Sequence, residues 1–167
     1  MRYIWSPWRM KYILKHAPST GCVFCNAASE ADGPENLIIH RGNRAFVILN
    51  RYPYTSGHLM VVPYAHEPSF EGLDIETRTE IMELMNEALK VVRLIYQPEG
   101  INVGANLGSA AGAGIAAHVH MHIVPRWLGD TNFMTAVGGA RVLPEDITES
   151  YARLKKTWSE REQKGTN

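Results

Sequence analysis

His118-Val119-His120-Met121-His122-Ile123-Val124-Pro125 places three histidines at every second position of an otherwise apolar run. In an extended strand alternate side chains share a face, so the three imidazoles line one surface while Val119, Met121 and Ile123 turn to the core. A strand of that kind belongs to a sheet covered on one side and chemically active on the other. A row of groups that ordinarily titrate near pH ~6–7 is a costly lining for a small domain. A metal site, a pH-sensitive strand and an accidental row on an exposed face are the alternatives at this point. Seven histidines in 167 residues make the accident a poor explanation, and binding or catalysis is expected.

Working outward, the pattern alternates strands and turns before a single long helix. Strands are expected at Leu37–His40, at Ala45–Leu49 after the Gly42-Asn43 turn, at His58–Val62 closed by Pro63, and at Ile101–Ala105. The helix runs from Ile75 to Tyr96, with Asp74 as N-cap, Glu76 in the first turn, and Pro98 and Gly100 as stops. Ile81, Met85, Ala88, Val92 and Ile95 form its apolar stripe. A second helix begins near Pro144, with Ile147, Tyr151, Leu154 and Trp158 on one face. Strands in hairpin-like succession around one long helix predict an α+β fold: an antiparallel sheet, the long helix packed on it, and a C-terminal helix. Residues 1–20 read as an aromatic arm, 21–162 as a single domain and 163–167 as a frayed tail.

Bulk composition excludes several function classes. Seventeen basic and seventeen acidic residues give a formal charge of zero, so no global field recruits nucleic acid or an anionic membrane. No apolar stretch approaches the ~18–20 residues of a membrane span. The amino terminus interleaves Trp5, Trp8, Arg2 and Arg9 without an apolar signal core, so a cytoplasmic location is expected. Cys22 and Cys25, the only cysteines, are three apart, which in a reducing compartment suggests metal or redox use.

The segment Gly104 to Ala117 carries no charge and almost no side-chain bulk. Such a loop either packs tightly or brings backbone N–H groups close to an anion. It is not a P-loop, since no Gly-Lys-Ser/Thr follows. Beside three histidines, phosphate is the favoured ligand. A neutral imidazole attacks phosphorus directly and gives a reactive phosphoramidate. His120, flanked on both sides, is the best nucleophile, and His122 is placed to donate to a phosphate oxygen.

His118-Val119-His120-Met121-His122-Ile123-Val124 resembles the His-φ-His-φ-His-φ-φ signature of the histidine triad (HIT) superfamily of nucleotidyl hydrolases and transferases. Leu49-Asn50-Arg51-Tyr52-Pro53, Gly57-His58-Leu59-Met60-Val61-Val62-Pro63, Pro125-Arg126-Trp127 and Gly129-Asp130-Thr131-Asn132-Phe133 extend the similarity. In detail they resemble the bacterial diadenosine tetraphosphate phosphorylase branch, and with the aromatic arm and Gly138-Gly139 the likeness covers roughly residues 3–158.

The resemblance implies that His120 forms a nucleotidyl–histidine intermediate at an α-phosphate, with His122 on the phosphate. Asn106 and the small-residue loop, Gly112 and Gly114 included, would hold the other oxygens. Asn50 matches a ribose-binding position, and His58 a buried histidine that supports the triad. Cys22, Cys25, His66 and His118 match the ligands of a structural zinc in bacterial members, which suits a tetrahedral two-Cys, two-His site. The family usually dimerises, so a homodimer acting on a small nucleotide is expected. Gly114 departs from the Gln of the fragile-histidine-triad hydrolases, and Ala113-Gly114 replaces the Gly-Ser of the phosphorylases. Phosphate is the favoured acceptor of the intermediate, with water the other. The competing readings are a nucleoside phosphoramidate or aminoacyl-adenylate hydrolase, and a zinc-stabilised nucleotide-binding module without catalysis. Trp5 and Trp8 suit either a flap over a base or a docking contact. His16 and His40 are expected to face solvent. Arg51 and Arg126 either reach distal phosphates or are merely solvated.

Overall fold

Strand β5 (Met121–Arg126), which carries His122, lies inside the sheet with hydrogen-bonded neighbours on both flanks. The computed structural model describes residues 21–130 and 145–165. The arm with Trp5, Trp8 and His16, the segments Thr131-Asn132-Phe133 and Gly138-Gly139, and Pro144 lie outside the described residues. The described chain forms β1 (Ile38–Arg41), β2 (Ala45–Leu49), β3 (Leu59–Pro63), β4 (Gly100–Gly104) and β5, in the order β1-β2-β3-β5-β4. Every neighbouring pair is antiparallel. Helices α1 (Val23–Ser29), α2 (Ile75–Tyr96) and α3 (Ile147–Gly165) complete the expected α+β architecture. Among the described residues, no helix is long and apolar enough to cross a membrane.

The strand expected over the whole histidine run begins only at Met121, with a bend at His118. Val61 pairs with Met121, so continued pairing would set Val119 opposite Pro63, which has no N–H to give. Val119 N–H instead donates to the Glu67 carbonyl at 2.7 Å. Val119 and Ile123 are fully buried, and Met121 is half-buried.

Helix α2 has the bounds its stripe predicts. Asp74 Oδ1 accepts the Thr77 N–H at 2.6 Å, and Gln97, left-handed at φ 46°, ends the helix before Pro98. Ile81, Ala88 and Val92 are buried, and so are Leu84 and Val91, so the stripe is wider than expected. It packs on β2, β3 and β5. Helix α3 is capped by Asp146, whose Oδ1 accepts the Thr148 N–H at 2.8 Å.

Helix α3 runs to Gly165 and corrects one expectation. Near its end Arg161 reaches Glu87 of α2 at 3.3 Å, and Glu162 meets His40 of β1 at 2.8 Å. His40 is accordingly not solvent-facing. Its ring stacks on Trp158 at 4.9 Å, and burial holds its pKa below the ordinary imidazole range despite the Glu162 carboxylate.

The core is the sheet plus the inner faces of α2 and α3, with Phe46, Ile38, Leu59, Ile81, Ile123 and Leu154 fully buried. Paired residues share a face, so Ile48, Met60 and His122 form one side, with Gly104 opposite His122 at the edge. A Cβ on Gly104 would meet nothing within 4 Å, so the space beside His122 is open there.

Candidate active site and metal centre

The histidine run is divided by its partners into two jobs. His118 is 1% exposed and its Nε2 lies 2.9 Å from the Pro63 carbonyl. A carbonyl only accepts, so Nε2 carries the proton and Nδ1 is bare. That Nδ1 faces Cys22 Sγ at 3.3 Å and Cys25 Sγ at 3.7 Å. His66 Nδ1 lies 3.3 Å from Cys25 Sγ, and the four ligand atoms all fall within 4.8 Å of one another.

These separations fit a tetrahedral ion. With metal–sulfur bonds of ~2.3 Å and metal–nitrogen bonds of ~2.0–2.1 Å, neighbouring ligand atoms stand about 3.5 Å apart. Two sulfurs and two imidazole nitrogens are the donor set zinc favours. The Pro63 carbonyl is the outer hydrogen-bond partner that fixes a ligating histidine's tautomer. Burial, then the adjoining Cys22, pushes the Cys25 thiol up, so binding a cation there displaces protons. Cys22, Cys25, His66 and His118 could therefore hold a metal.

His120 faces the other way. Its Nδ1 lies 2.9 Å from the carbonyl of His118, which puts the proton on Nδ1 and leaves Nε2 with a free lone pair. Its ring is 4.9 Å from Phe24 and 4.8 Å from His122, at 75° to the latter. Burial holds its pKa below the ordinary imidazole range, outweighing the His118 carbonyl, which favours the charged form.

His122 receives its protonation pattern from His58. The backbone N–H of Tyr54 donates to His58 Nδ1 at 3.1 Å, so that nitrogen is an acceptor and the proton of the neutral ring sits on Nε2. His58 Nε2 then donates to His122 Nδ1 at 2.9 Å. His122 is left with Nε2–H as a donor beside the bare nitrogen of His120. Burial first, then the neighbouring His120, pushes His122 down to about 4. Burial thus favours the neutral form of both His120 and His122, where the sequence alone predicts a row titrating near pH ~6–7. An acceptor next to a donor suits attack on a phosphorus while an oxygen is held.

Asn50 adjoins this network: its Oδ1 accepts the Tyr52 N–H at 2.9 Å, and its Nδ2 lies 3.3 Å from His58 Nδ1. Asn106, Gly112 and Gly114 all lie in the β4–β5 loop. Gly112 is left-handed at φ 90°, and a Cβ there would sit 4.0 Å from Asn106 Nδ2. The N–H groups of Ala111, Gly112 and Ala113 are bonded to Gly108 and Ser109 carbonyls, which withdraws three amides from any anion cradle. Arg126 is held by Asp130 at 2.5 Å and Asn102 at 2.8 Å, and Arg51 donates to the Glu35 carbonyl.

Three participants escaped the sequence reading. Tyr54 acts through its backbone N–H, which leaves no mark on residue type, and Pro63 through its carbonyl. Phe24 did leave a signal: a bulky apolar residue between two candidate metal ligands has to be buried somewhere.

The HIT domain family pattern matches residues 31–127. The chain is 36% identical over 166 residues to a protein named AP-4-A phosphorylase from Mycobacterium tuberculosis, covering 95% of this chain and 85% of that one. A HIT-like protein from Saccharolobus solfataricus is 29% identical over 113 residues, covering 68% and 79%. Among solved structures, a Zn-bound histidine triad family protein from Mycobacterium smegmatis superposes with a TM-score of 0.68 at 27% identity, covering 87% and 98%. The diadenosine triphosphate hydrolase of Plasmodium falciparum shares the fold, with a TM-score of 0.63 at 20% identity, covering 79% and 81%.

Proposed function

The chain belongs to the HIT domain family of nucleotide-processing enzymes, and from that membership we propose that it cleaves dinucleoside polyphosphates of the diadenosine tetraphosphate type at an α-phosphate. His120 Nε2 attacks the α-phosphorus, a nitrogen–phosphorus bond forms, and the bond from that phosphorus to the bridging oxygen breaks. The departing nucleotide carries away the electron pair of that bond. The positive charge that develops on the His120 ring is shared with the His118 carbonyl through Nδ1–H. His122 donates from Nε2 to a phosphate oxygen. In the second half, phosphate or water attacks the same phosphorus on the opposite side and frees His120.

The observation that carries this reading is the tautomer pattern: a carbonyl acceptor on Nδ1 leaves His120 bare at Nε2, and a ring donor on Nδ1 leaves His122 protonated at Nε2, the nitrogens facing the site. Asn106 and Gly114 hold the remaining phosphate oxygens, Gly112 shapes the loop through its left-handed backbone while its N–H stays on Ser109, and Asn50 takes the ribose hydroxyls. The bare edge at Gly104 supports room for the nucleotide beside His122. The likeness to the M. tuberculosis relative supports phosphate as the acceptor.

A zinc ion bound by Cys22, Cys25, His66 and His118 would be structural, holding the start of the catalytic strand. It supplies no step of the chemistry. A homodimer belongs to the same reading: β4 ends the sheet, with Val103 and Leu107 exposed at that end.

Product analysis tests the proposal. Diadenosine tetraphosphate incubated with inorganic phosphate should give ADP and ATP, and His120→Ala should abolish turnover with the fold intact. AMP and ATP formed without phosphate would assign hydrolysis instead. A fully active His120→Ala protein removes the nucleophile from the account.

A further inference from the structure

Phe24 stands between Cys22 and Cys25 in the chain and is 3% exposed. Its ring centroid lies 5.4 Å from that of His118, edge to face at 75°, and 4.9 Å from that of His120, tilted by 53°. It therefore touches one ring of the metal cluster and the ring of the nucleophile at once.

His120 needs such a neighbour. The terminal torsion of histidine is broad and roughly two-fold, and the single bond from Nδ1 to the His118 carbonyl opposes a flip only modestly. A ring flip exchanges nitrogens with carbons and takes the bare Nε2 away from phosphorus. The Phe24 ring at 4.9 Å and the His122 ring at 4.8 Å both crowd the space that rotation needs. Both restraints on the His118 side begin at the metal cluster. The carbonyl belongs to His118 itself. Phe24 sits in the first turn of α1, which Cys22 opens by accepting the Asn26 N–H at 2.9 Å.

We propose that Phe24 is a positioning residue for His120, carrying the order of the Cys22, Cys25 and His118 cluster to the ring that attacks phosphorus. The proposal rests on the reading of His120 as nucleophile. The alternative is that Phe24 only fills core volume, and a leucine would then serve nearly as well. An aliphatic side chain fills space but offers no ring to meet the imidazole at a preferred aromatic angle.

The test compares full-length Phe24→Leu with Leu154→Ala, a core substitution in α3 remote from the site, after metal content and thermal midpoint have been measured for both. Single-turnover formation of the nucleotidyl–His120 adduct from diadenosine tetraphosphate is followed by mass, and the His120 tautomer by its nitrogen-15 NMR signals. Phe24→Leu should slow adduct formation about tenfold to a hundredfold, the range that sub-ångström misplacement commands. KM and metal content should not change, and the His120 signals should move from one tautomer towards a mixture. Leu154→Ala should leave rate and signals as in the wild type. A single-tautomer pattern retained in Phe24→Leu overturns the proposal whatever the rate, and so does an equal disturbance in Leu154→Ala. If the wild type forms no adduct, the nucleophile reading falls, and the nitrogen-15 comparison alone decides whether Phe24 holds the ring.

Discussion

His58 Nε2 lies 2.9 Å from His122 Nδ1, and this contact orders the protons of both rings. His58, the residue before β3, lies diagonal to His122 of β5, which pairs with Met60. Because the Tyr54 N–H already fills His58 Nδ1, the pair has one consistent arrangement, with His122 donating towards the site.

Replacing His58 by leucine should therefore damage catalysis and folding together. His122 loses the donor that fixes its tautomer, and the loss of an orienting partner costs about 10–100-fold in comparable networks. The Tyr54 N–H loses its acceptor, which costs about 1–3 kcal/mol. Steady-state kinetics should show the loss in kcat, and urea unfolding should show the lower midpoint. A variant with unchanged kcat would mean that His122 sets its own tautomer.

Acid should destabilise the protein before it unfolds it by carboxylate protonation. His122 is pushed down to about 4 in the folded chain, against an ordinary value near ~6.5 when unfolded. Between those values the unfolded state binds the extra proton, so stability is full above the upper value and falls as pH drops through the window. Burial lowers His40 in the same direction, against Glu162, Glu80 and Asp32 and with Lys155, so it adds to the slope. Urea midpoints measured between pH 7 and 4.5 should decline, and less steeply in His122→Gln. An equal slope in that variant would remove His122 as a source.

The parts of this site differ in how far residue types reveal them. The Asp74 cap with the stripe of α2 is a local pattern that the chain obeys in place, while the strand of the histidine run begins only at Met121. Where Pro63 interrupts the ladder, and where Arg161 and Glu162 of α3 meet Glu87 and His40, the outcome depends on residues far apart in sequence. The division of labour among His118, His120 and His122 depends on which carbonyl or ring nitrogen each one meets. Backbone partners such as Tyr54 and Pro63 are invisible to a reading by residue type.

Removing the metal should loosen the start of the catalytic strand. A chelator, or Cys25→Ser, should lower the thermal midpoint by about 2–4 °C for each kcal/mol of binding lost. The purified protein should contain one zinc per two cysteines, and uptake by the apo form should release protons. Elemental analysis with differential scanning calorimetry checks both. A metal-free protein whose midpoint is unmoved by added zinc would leave the cluster as plain thiols and imidazoles.

Glu80 makes a sharper contrast between stability and function. Its carboxylate accepts the N–H groups of Asn43 at 2.6 Å and Arg44 at 3.0 Å, tying the β1–β2 turn to α2. Both bonds are exposed, so Glu80→Ala should cost about 1 kcal/mol and no more. Turnover of the nucleotide should stay at the wild-type level, because the turn bonds to none of the five histidines of the site and metal centre. Parallel urea titrations and kinetics would expose a coupling if kcat fell with the midpoint.

Gly57 joins the two themes, being next to His58 and unable to accept a side chain. Its φ is +76°, and a Cβ would lie 2.5 Å from the Tyr96 ring. Tyr96 cannot yield easily, since its hydroxyl donates to Glu145 at 2.9 Å and Arg153 covers its ring at 5.2 Å. Gly57→Ala thus meets a strained backbone and a fixed ring together, and should cost at least the ~1–2 kcal/mol of a left-handed alanine. The displacement should reach His58 and lower kcat. Shrinking the obstacle in Gly57→Ala/Tyr96→Leu should restore part of kcat, while the backbone strain keeps the urea midpoint low. If the double variant recovers no activity, the Tyr96 contact is not what holds His58 in register with His122.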